Sequence, residues 1–429
     1  MLHENLSVKN GRLHFAGYDT IELCERYQTP LMLLDENMIR SNMALYKSVI
    51  SEFFPAGSMP LYASKALSFK EMYRICKDEG IGTDIVSIGE LYTAISAGFP
   101  LERAFFHGNN KLDSDIEFAM DNGLGYFIVD TYDELYAIDR IAKEKSIVQK
   151  LLLRLTPGID PHTHAAISTG KVDSKFGTAI ETGQALEIVK VALSLENVKL
   201  CGFHCHIGSQ IFEISPFCNA SDIMLDFINQ TRKEFGFVPE YLNLGGGFGV
   251  RYVESHDTID IRQAIKDIAS HVKAKCQEYN LEMPKILFEP GRSIVAAAGM
   301  TLYTVGSIKE IKGYKNYVSI DGGMTDNPRY ALYQSDYTVL TANKMDEPTN
   351  YTATIAGRCC ESGDLIQEDV QIAKPTRGDK LAVLVTGAYN YSMASNYNKV
   401  TRPPIVMLGK TDRVVVKRET LEHLTALDV

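Results

Sequence analysis

Between residues 61 and 289, short apolar segments alternate with longer segments in which apolar and polar residues are mixed. The apolar segments are typical of strands buried in a parallel sheet, and most of the segments between them have helical periodicity. The predicted strands lie near residues 61–65, 82–86, 103–107, 125–129, 151–155, 198–206, 241–244 and 286–289. Eight strands that alternate with helices predict a (β/α)8 barrel of the TIM type, and a doubly wound open sheet is the alternative.

Helix starts are indicated by a Ser or Thr that precedes a Glu by three residues, which is the signature of a capping box. Each hydroxyl residue comes shortly after a predicted strand. The four pairs are Ser68 with Glu71, Ser87 with Glu90, Ser114 with Glu117, and Thr131 with Glu134. Their recurrence supports a repeated strand–helix unit.

After Pro290 the pattern changes, because helical periodicity fades and β-rich runs are separated by Gly, Pro and Asp. This pattern predicts a mainly antiparallel β-domain, which the early strands at 13–15 and 31–34 are expected to join. The β-rich runs lie at 301–305, 317–320, 351–356 and 380–385. The predicted division is 1–35 for the N-terminal strands, 36–285 for the barrel and 286–429 for the C-terminal β-domain.

Composition narrows the class of protein. The chain has 429 residues, which favours two domains, and a formal net charge of −10, which argues against nucleic acid or an anionic membrane as a partner. It has no apolar run of transmembrane length and no leader-like start. Its eight cysteines show no regular spacing. We therefore expect a cytoplasmic protein with reduced thiols.

Reactive residue types recur at the ends of the predicted strands. In a barrel of this type the carboxyl ends of the strands carry the active site. In chain order these positions are Lys65, Asp84, His107, Asp130, Arg154, His206, the run Gly245-Gly246-Gly247, and Glu289. We therefore expect these residues to converge on one site.

Lys65 follows the apolar segment Leu61-Tyr62-Ala63, where a strand meets the loop into a helix. A lysine that is desolvated at such a point can act as an amine nucleophile and form a Schiff base with a carbonyl. Taken alone, the alternative is an ordinary surface lysine beyond a strand end. The neighbouring strand ends decide between the two.

The glycine run 245–247 ends a late strand with bare backbone, whose N–H groups can approach a phosphate. A flexible turn is the alternative, although one glycine would suffice for it. No Gly-Lys-Ser/Thr follows, so the run is not a Walker loop.

The segment His204-Cys205-His206 contains good zinc ligands, but no fourth ligand is evident in the sequence. We expect instead that His206 lies flat on an aromatic cofactor ring and that Ser209 donates to its phosphate. The third interpretation is that either histidine is simply a hydrogen-bonded residue of the core.

Glu289 and Arg292 close the last predicted strand within Glu289-Pro290-Gly291-Arg292. A carboxylate that faces a heterocyclic nitrogen keeps that nitrogen protonated, as in pyridoxal phosphate enzymes. Arg292 suits a phosphate or a carboxylate, and a simple Glu–Arg ion pair is the alternative. Together with Lys65, His206 and the glycine run, these residues predict a pyridoxal 5'-phosphate site.

At these residues the sequence resembles the barrel-type pyridoxal phosphate enzymes that share the fold of alanine racemase and include the ornithine, arginine and diaminopimelate decarboxylases. Within this family its motifs are most similar to those of the diaminopimelate decarboxylases, over nearly the whole chain. The matching segments are 62–66, 154–177, 204–210, 243–249, 289–292, 321–333 and 360–364. One departure is Cys359, which precedes Cys360 where the family usually has a proline-containing approach to a single cysteine.

The resemblance implies a role for each matching residue. It implies that Lys65 carries the cofactor, that His206 stacks on its ring and that Glu289 faces the pyridine nitrogen. Ser209, Gly247, Gly291, Arg292 and Tyr389 would surround the phosphate, and Asp84, Arg154, Gly245 and Gly246 would complete the cofactor site. The residues implied to contact substrate are Arg292, Arg329, Tyr333, Glu361 and Tyr389. Cys360 would be the proton donor, supplied by the partner subunit of a homodimer with active sites at its interface.

The implied reaction is decarboxylation of meso-2,6-diaminopimelate at its D-centre to L-lysine and CO2. This substrate carries an amino acid group at each end, so Arg329 can hold the distal carboxylate and Glu361 the distal ammonium. The alternatives are a decarboxylase of ornithine, arginine or a carboxylated polyamine, a non-catalytic pyridoxal phosphate-binding regulatory protein, and a racemase in which Tyr389 is a second base.

Overall fold

The computed structural model describes residues 2–159 and 174–429. The chain packs as two units. The barrel unit comprises Asn42–Gly249 and Thr258–Gly291, and the β-rich unit comprises Met1–Ser41, Val250–Asp257 and Arg292–Val429. The chain therefore passes from one unit to the other more than once.

The strands of the described residues are, in chain order, β1 Leu6–Lys9, β2 Arg12–Phe15, β3 Tyr18–Asp19, β4 Leu31–Asp35, β5 Met59–Ala63, β6 Gly82–Ile85, β7 Ala104–Phe106, β8 Tyr126–Val129, β9 Gln149–Thr156, β10 Thr178–Ala179, β11 Val198–His204, β12 Tyr241–Asn243, β13 Lys285–Phe288, β14 Gly299–Ile311, β15 Lys315–Ile320, β16 Val339–Thr341, β17 Tyr351–Ala356, β18 Leu365–Ile372, β19 Lys380–Leu384, β20 Ile405–Leu408 and β21 Asp412–Val416.

The α-helices of the described residues are α1 Thr20–Tyr27, α2 Glu36–Phe53, α3 Lys70–Glu79, α4 Ile88–Ser96, α5 Asp113–Asp121, α6 Tyr132–Glu144, α7 Gln184–Ser194, α8 Ser215–Phe235, α9 Ile261–Tyr279, α10 Arg292–Val295, α11 Arg329–Tyr333 and α12 Leu421–Thr425. Within those residues, no helix combines the length and the apolar character that crossing a lipid bilayer requires.

The barrel unit contains a closed parallel sheet. Its strands follow one another in the order β9-β11-β12-β13-β5-β6-β7-β8, and β8 pairs again with β9. Each predicted barrel strand coincides with an observed one, so the predicted (β/α)8 barrel is confirmed and the open sheet is wrong. Closure brings the carboxyl ends of all these strands around a single opening.

A hydrophobic cluster fills the interior of this barrel. Its members come from strands all around the sheet, and such residues meet only inside the barrel. They are Leu61, Phe105, Tyr126, Ile128, Leu152, Cys201, Tyr241 and Leu287. The interior of the barrel below the strand-end site is therefore filled with packed side chains and is not a water-filled channel.

Two of the four predicted capping boxes place the helix start correctly. The hydroxyl of Ser87 accepts from the backbone N–H of Glu90 at 3.2 Å, and Thr131 accepts from that of Glu134 at 3.3 Å. The other two are wrong. Helix α3 begins at Lys70, after Phe69, and the Ser68 hydroxyl lies 3.1 Å from that of Tyr73.

Helix α5 begins one residue before Ser114, so that this serine lies inside the first turn. Its cap is formed by the carboxylate of Asp115, which accepts from the backbone N–H of Leu112 at 3.0 Å. The segment Asp113-Ser114-Asp115 offers several polar side chains in succession, and spacing alone did not select the one that caps the helix.

The β-rich unit has a large mixed sheet in the order β18-β17-β15-β14-β4-β20-β21, with β19 paired to both β14 and β16. Strand β4 lies between β14, to which it is antiparallel, and β20, to which it is parallel. The early strand at 31–34 therefore joins this sheet as expected. The strand at 13–15 also joins the β-rich unit as expected, but it lies in a separate sheet of β1, β2 and β3, in which β2 pairs with its two hairpin neighbours.

The predicted boundary after residue 285 coincides with the start of β13. This strand pairs in parallel with β12 and β5, and therefore completes the barrel. The barrel unit extends to Gly291. The limits 1–35, 36–285 and 286–429 otherwise stay a prediction of how the chain divides into domains.

A buried ion pair joins the loop after β7 to the first turn of α6, near the carboxyl ends of the barrel strands. The Lys111 ammonium donates to Glu134 Oε1 at 2.6 Å and to the carbonyl oxygens of Gly108 and Ile128, each at 2.8 Å. The other oxygen of Glu134 accepts from the backbone N–H of Asp130 at 3.0 Å. Both charges thus have a complete set of partners, which a buried pair needs if it is not to destabilise the fold.

We expect Lys111→Met to lower the free energy of unfolding by about 3–5 kcal/mol, because it leaves the Glu134 carboxylate buried without its cation. The double variant Lys111→Met/Glu134→Gln removes both charges, keeps an acceptor oxygen, and should be less destabilised than the single variant. Urea denaturation followed by circular dichroism measures both. Lys145→Met, which removes a surface ion pair with Asp121, is the control and should cost less than about 1 kcal/mol. A double variant as unstable as the single one would contradict the expectation.

Candidate active site

The carboxylate of Glu289 lies at the centre of the barrel opening, and it is buried. Its Oε1 accepts from Asn243 Nδ2 at 2.7 Å and lies 3.0 Å from His107 Nε2, although that N–H is not well aligned with it. Its Oε2 lies 3.2 Å from His204 Nε2. Side chains from the ends of three strands, β7, β11 and β12, therefore converge on the carboxylate that follows β13.

Electrostatics keep the two imidazoles neutral and the carboxylate ionised. Burial lowers the pKa of His107, and it lowers that of His204 to about 4. Burial alone would raise the pKa of Glu289, but its contacts with the two histidines hold it well below its ordinary value. The nitrogen and oxygen atoms of these three side chains lie within 4.8 Å of one another, a spacing that also suits a metal ion.

His206 lies just beyond the end of β11 and is partly buried. Burial lowers the pKa of its imidazole well below the ordinary value, and the positive charges of Lys65 and Arg154 act in the same direction. The backbone N–H of Gly246 donates to His206 Nδ1 at 3.3 Å, so this ring is a neutral imidazole that carries its proton on Nε2. Its orientation is thereby fixed by the glycine run.

Steric contacts require glycine at positions 245–247, in addition to the chemical use of their backbone N–H groups. A Cβ on Gly246 would lie 2.1 Å from the carbonyl oxygen of Glu289, and one on Gly247, whose φ is +118°, would lie 2.2 Å from that of Gly208. Gly245, with φ of +69°, meets the Cys205 carbonyl oxygen in the same way at 2.6 Å. Among the described residues, the N–H of Gly247 has no acceptor. An amide of this kind suits an anionic oxygen of a ligand.

Lys65 lies in the short 3-10 helix Ser64–Ala66 that follows β5, and its side chain is exposed. The strand-end position is as predicted, but burial is not what would prepare this amine as a nucleophile. Asp84, at the end of β6, is buried and accepts from the backbone N–H of Ser64 at 2.8 Å. Burial, followed by the charge of Glu289, raises the pKa of Asp84 well above its ordinary value, and Lys65 opposes this shift.

Arg154 and Asp130 hold the chain that follows β9. The guanidinium of Arg154 lies 4.5 Å from the ring centroid of Phe176, and its burial lowers its pKa. The Oδ2 of Asp130 accepts from the backbone N–H of Gly177 at 3.1 Å. Residues 160–173, which belong to the family motif at 154–177, lie outside the described residues. Ser209 lies in the loop after β11 and is partly buried.

Gly291 ends the barrel unit against β5, where a Cβ would lie 2.7 Å from that of Ala63. This close approach explains why the residue between Pro290 and Arg292 is a glycine. The remaining predicted site residues belong to the β-rich unit and are Arg292, Arg329, Tyr333, Cys360, Glu361 and Tyr389.

Within the β-rich unit, two arginines flank one tyrosine ring. Arg292 donates to the Tyr252 hydroxyl at 2.9 Å, and its guanidinium also lies 4.7 Å from the ring centroid of Tyr389. The guanidinium of Arg329 lies 4.9 Å from the centroid of Tyr252. Burial would raise the pKa of Tyr252, but the two arginine charges outweigh it and lower the value. Tyr252 thus contacts two of the predicted site residues, and nothing in the sequence singled it out.

Arg329 is 5 % exposed, and its NH1 donates to the Tyr337 hydroxyl at 3.0 Å. Burial alone would lower its pKa, but Tyr252 and Tyr337 raise it above the ordinary value. Within the described part of the chain, no carboxylate lies within ion-pair distance of this guanidinium. A buried arginine without a carboxylate is costly, and it therefore indicates that an anion binds there.

Cys360 and Glu361 are exposed, in a loop that Asp364 holds in place. The buried carboxylate of Asp364 accepts from the backbone N–H of Met324 at 2.6 Å and from that of Cys359 at 2.7 Å. It thereby joins the loop that carries Cys360 to the loop that leads into α11. Burial, with the nearby Asp364 charge, raises the pKa of Cys359 to about 11, so its thiol is protonated at neutral pH.

Sequence reasoning missed three members of the cluster around Glu289. His107 was noted at its strand end but was given no role, and His204 was considered as a metal ligand or as a hydrogen-bonded core residue without a named partner. Asn243 is a polar residue at the end of the apolar segment 241–244, and that signal could have identified it. Its contact with a carboxylate 46 residues later in the chain could not have been identified without the fold.

Comparison with known proteins places this geometry in a family. The model of the family described as "Pyridoxal-dependent decarboxylase, pyridoxal binding domain" matches residues 37–296. The diaminopimelate decarboxylase of Bacillus subtilis (strain 168) is 43% identical over 424 residues, which cover 98% of this chain and 96% of that protein. The diaminopimelate decarboxylase of Staphylococcus aureus (strain COL) is also 43% identical, over 98% of both chains.

Among solved structures, the diaminopimelate decarboxylase of M. jannaschii in complex with L-lysine superposes with a TM-score of 0.90. It is 36% identical in sequence, and the match covers 99% of this chain and 98% of that one. Both the barrel unit and the β-rich unit thus have counterparts in that structure.

We expect Asp364→Asn to loosen the loops at 321–328 and 357–364, because an amide oxygen replaces only one of the two carboxylate oxygens that accept from Met324 and Cys359. Hydrogen–deuterium exchange followed by mass spectrometry should show faster exchange in peptides from both loops, and unchanged exchange in the barrel strands. Asp369→Asn, at an exposed position of the same unit, is the control. Unchanged exchange in both loops of Asp364→Asn would contradict the positioning role.

Proposed function

The chain belongs to the pyridoxal-dependent decarboxylases, and from this membership we propose that it removes CO2 from the D-centre of meso-2,6-diaminopimelate and releases L-lysine, the last step of lysine biosynthesis. Near-full-length relatives carry the name diaminopimelate decarboxylase, and one of the structurally similar relatives holds L-lysine. The observation that carries the proposal is Arg329, a buried cation without a carboxylate among the described residues. The distal carboxylate of this substrate supplies that partner.

The cofactor is pyridoxal phosphate, and the residues present fit it. Lys65 would hold it through its ε-amine, Glu289 would accept from the pyridine nitrogen, and His206 would lie against the ring. The phosphate would be held by Ser209, Gly245, Gly246, Gly247, Gly291, Arg292 and Tyr389, and Asp84 and Arg154 would complete the site. The ionised Glu289 and the free N–H of Gly247 are the structural observations that support this arrangement. Bound pyridoxal phosphate supplies an electron-accepting ring, which takes up the electron pair left at the α-carbon when CO2 departs.

The protein groups perform the remaining tasks. Lys65 would hold the cofactor through its ε-amine whenever no substrate amine is bound. Arg329 holds the distal carboxylate with two parallel donors, and Glu361 accepts from the distal ammonium. Tyr333, Arg292 and Tyr389 complete the substrate contacts. Cys360 delivers a proton from its Sγ to the carbon that has lost CO2, which requires the thiol to be protonated at the working pH.

We further propose a homodimer in which Cys360 and Glu361 of one protomer complete the site of its partner. The exposure of both side chains supports this proposal, because a residue that acts within its own protomer would be expected to be covered there. All eight cysteines, which lie in the described part of the chain, are free thiols and suit the proposed cytoplasmic location. The net charge of −10 supports the absence of nucleic acid among the partners.

The alternatives fit Arg329 less well. Ornithine has no distal carboxylate, so a site for it would leave this guanidinium buried and unpaired at a cost of several kcal/mol. The same holds for other basic substrates whose distal end is a cation. A regulatory protein without turnover would have no use for the Cys360–Glu361 pair, and a racemase would have no use for a distal carboxylate site.

We expect the purified protein with pyridoxal phosphate to release CO2 from meso-diaminopimelate, and to release little from ornithine or arginine. Arg329→Gln should lower kcat/KM for diaminopimelate by a factor of about one hundred or more, because several kcal/mol of pairing are lost. Arg329→Lys should recover only part of this, since a lysine cannot make two parallel hydrogen bonds. The exposed Arg377→Gln is the matched control. CO2 from ornithine but none from diaminopimelate would overturn the proposal.

Mixing two inactive variants tests the shared active site. Lys65→Ala and Cys360→Ala homodimers should each be nearly inactive. A heterodimer of the two has one site with both Lys65 and Cys360 intact, and random exchange makes half of the dimers hybrid. Denaturing and refolding an equal mixture should therefore restore roughly one quarter of the wild-type turnover. No recovery would show that Cys360 acts within its own protomer, and full turnover by the Cys360→Ala homodimer would remove it from the mechanism. Pyridoxal phosphate absorbance of the Cys360→Ala protein confirms that its cofactor site is intact.

A further inference from the structure

We propose that His107, His204 and Asn243 are positioning residues that fix the carboxylate of Glu289 in one orientation and leave a single acceptor position, on Oε2, for the ring nitrogen of the cofactor. The proposal rests on the proposed function only in that the chain binds pyridoxal phosphate. It does not depend on which substrate is decarboxylated.

The first argument is a count of hydrogen-bond positions. An ionised carboxylate offers about four positions at which it can accept a hydrogen bond, two on each oxygen. Oε1 accepts from Asn243 Nδ2 at 2.7 Å, and His107 Nε2 lies 3.0 Å from it without a well-aligned hydrogen bond, so that this ring covers the other position on Oε1. Among the described residues, Oε2 is approached by His204 Nε2 alone, at 3.2 Å. The position that remains open therefore lies on Oε2.

The second argument is that the donors are themselves held. The backbone N–H of Gly245 donates to Asn243 Oδ1 at 2.9 Å, which turns the Nδ2 of this amide toward Glu289. The backbone N–H of Glu289 donates to the Gly245 carbonyl oxygen at 2.7 Å. The rings of His107 and His204 pack edge to face, with their centroids 4.9 Å apart. These contacts therefore hold the donors in place around the Glu289 carboxylate, and they hold the backbone of Glu289 as well.

The third argument concerns charge. Several titratable groups interact with this cluster from neighbouring strands and loops, namely Asp84, Lys111, Arg154, Cys205 and His206. Burial lowers the pKa of both His107 and His204, so each is a neutral imidazole and the three side chains carry one negative charge, on Glu289. The Nδ1 of His204 is buried without a partner among the described residues, as expected of the tautomer that carries its proton on Nε2.

A protonated histidine in either place would neutralise Glu289 and remove the charge that keeps a pyridine nitrogen protonated. The two buried imidazoles therefore supply hydrogen bonds without supplying charge, which an arginine or a lysine at the same position could not do. This explains why the side chains next to the carboxylate, those of Asn243, His107 and His204, are all neutral and none is a permanent cation.

The proposal is tested with the nitrogen chemical shift of pyridoxal phosphate labelled with 15N in its ring, bound to the full-length protein. The wild type should show a protonated ring nitrogen at neutral pH. In His204→Phe and His107→Phe, which keep a ring but lose the donor, the shift should move toward that of an unprotonated pyridine. The Kd for pyridoxal phosphate should rise by about tenfold or more, the value of one hydrogen bond to a charged group. His204→Gln, which retains a donor, should lie closer to the wild type, and the exposed His271→Phe is the control.

The wild-type protein gives a second measurement that does not depend on the variants folding. Histidine 15N spectra of the apoprotein should contain three buried imidazoles that stay neutral from about pH 6 to pH 8, those of His107, His204 and His206. The resonances of His107 and His204 should be missing one at a time in His107→Gln and His204→Gln, and that of His206 should remain in both variants.

Three results would overturn the proposal. One is a ring nitrogen that stays fully protonated, with unchanged Kd, in both folded phenylalanine variants. Another is a cationic His107 or His204 at neutral pH. The third is one equivalent of zinc in the purified wild-type protein that is lost in His204→Phe, since the three groups would then be metal ligands. Failure of diaminopimelate decarboxylation, with normal pyridoxal phosphate binding, would affect the proposed function and leave this inference standing.

Discussion

The desolvation of one carboxylate governs the arrangement of the barrel opening. Glu289 is 8 % exposed, and an ion at such a position must be compensated by charge or by hydrogen bonds. Here the compensation comes from neutral donors at the ends of three other strands, and their convergence requires a closed barrel. An open sheet would bring only neighbouring strands to one point, whereas β7 and β12 are separated by three strands in the barrel order. The closed topology and the chemistry at its centre therefore depend on each other.

The glycine run shows how a structural and a chemical requirement can coincide. Gly246 and Gly247 lie so close to neighbouring carbonyl oxygens that any larger residue would displace the backbone. The same close approach orients His206 and leaves a backbone N–H that can donate to an anion. The predicted phosphate loop is thus also the point at which the chain after β12 packs against the chain after β11 and after β13. Substitution there would change folding and cofactor binding together.

The sequence predicted those features that depend on local patterns. Each of the eight barrel strands and the caps at Ser87 and Thr131 follow from periodicity and from short-range hydrogen bonding. The failures at Ser68 and Ser114 arose where several polar residues adjoin a helix start, so that spacing did not decide which one caps it. The sequence allowed His204 to be a hydrogen-bonded core residue but could not name its partners, because His107 and Glu289 are distant in sequence and become its neighbours only when the barrel closes. Tyr252 gave no signal, since its role comes from two arginines that follow it by 40 and 77 residues.

The position of β4 has a consequence for synthesis on the ribosome. This strand is buried along its whole length, and its sheet partners are β14, which begins at residue 299, and β20, which ends at residue 408. At translation rates of about 5–20 residues per second, β4 leaves the ribosome roughly 20 to 70 seconds before β20 is made. The barrel, whose last strand ends at residue 288, can close during that interval. After the barrel has formed and β14 has been made, the nascent chain therefore carries an apolar strand with one edge unpaired until β20 is available. A chain that ends before β20 would keep this edge exposed and would be prone to aggregate.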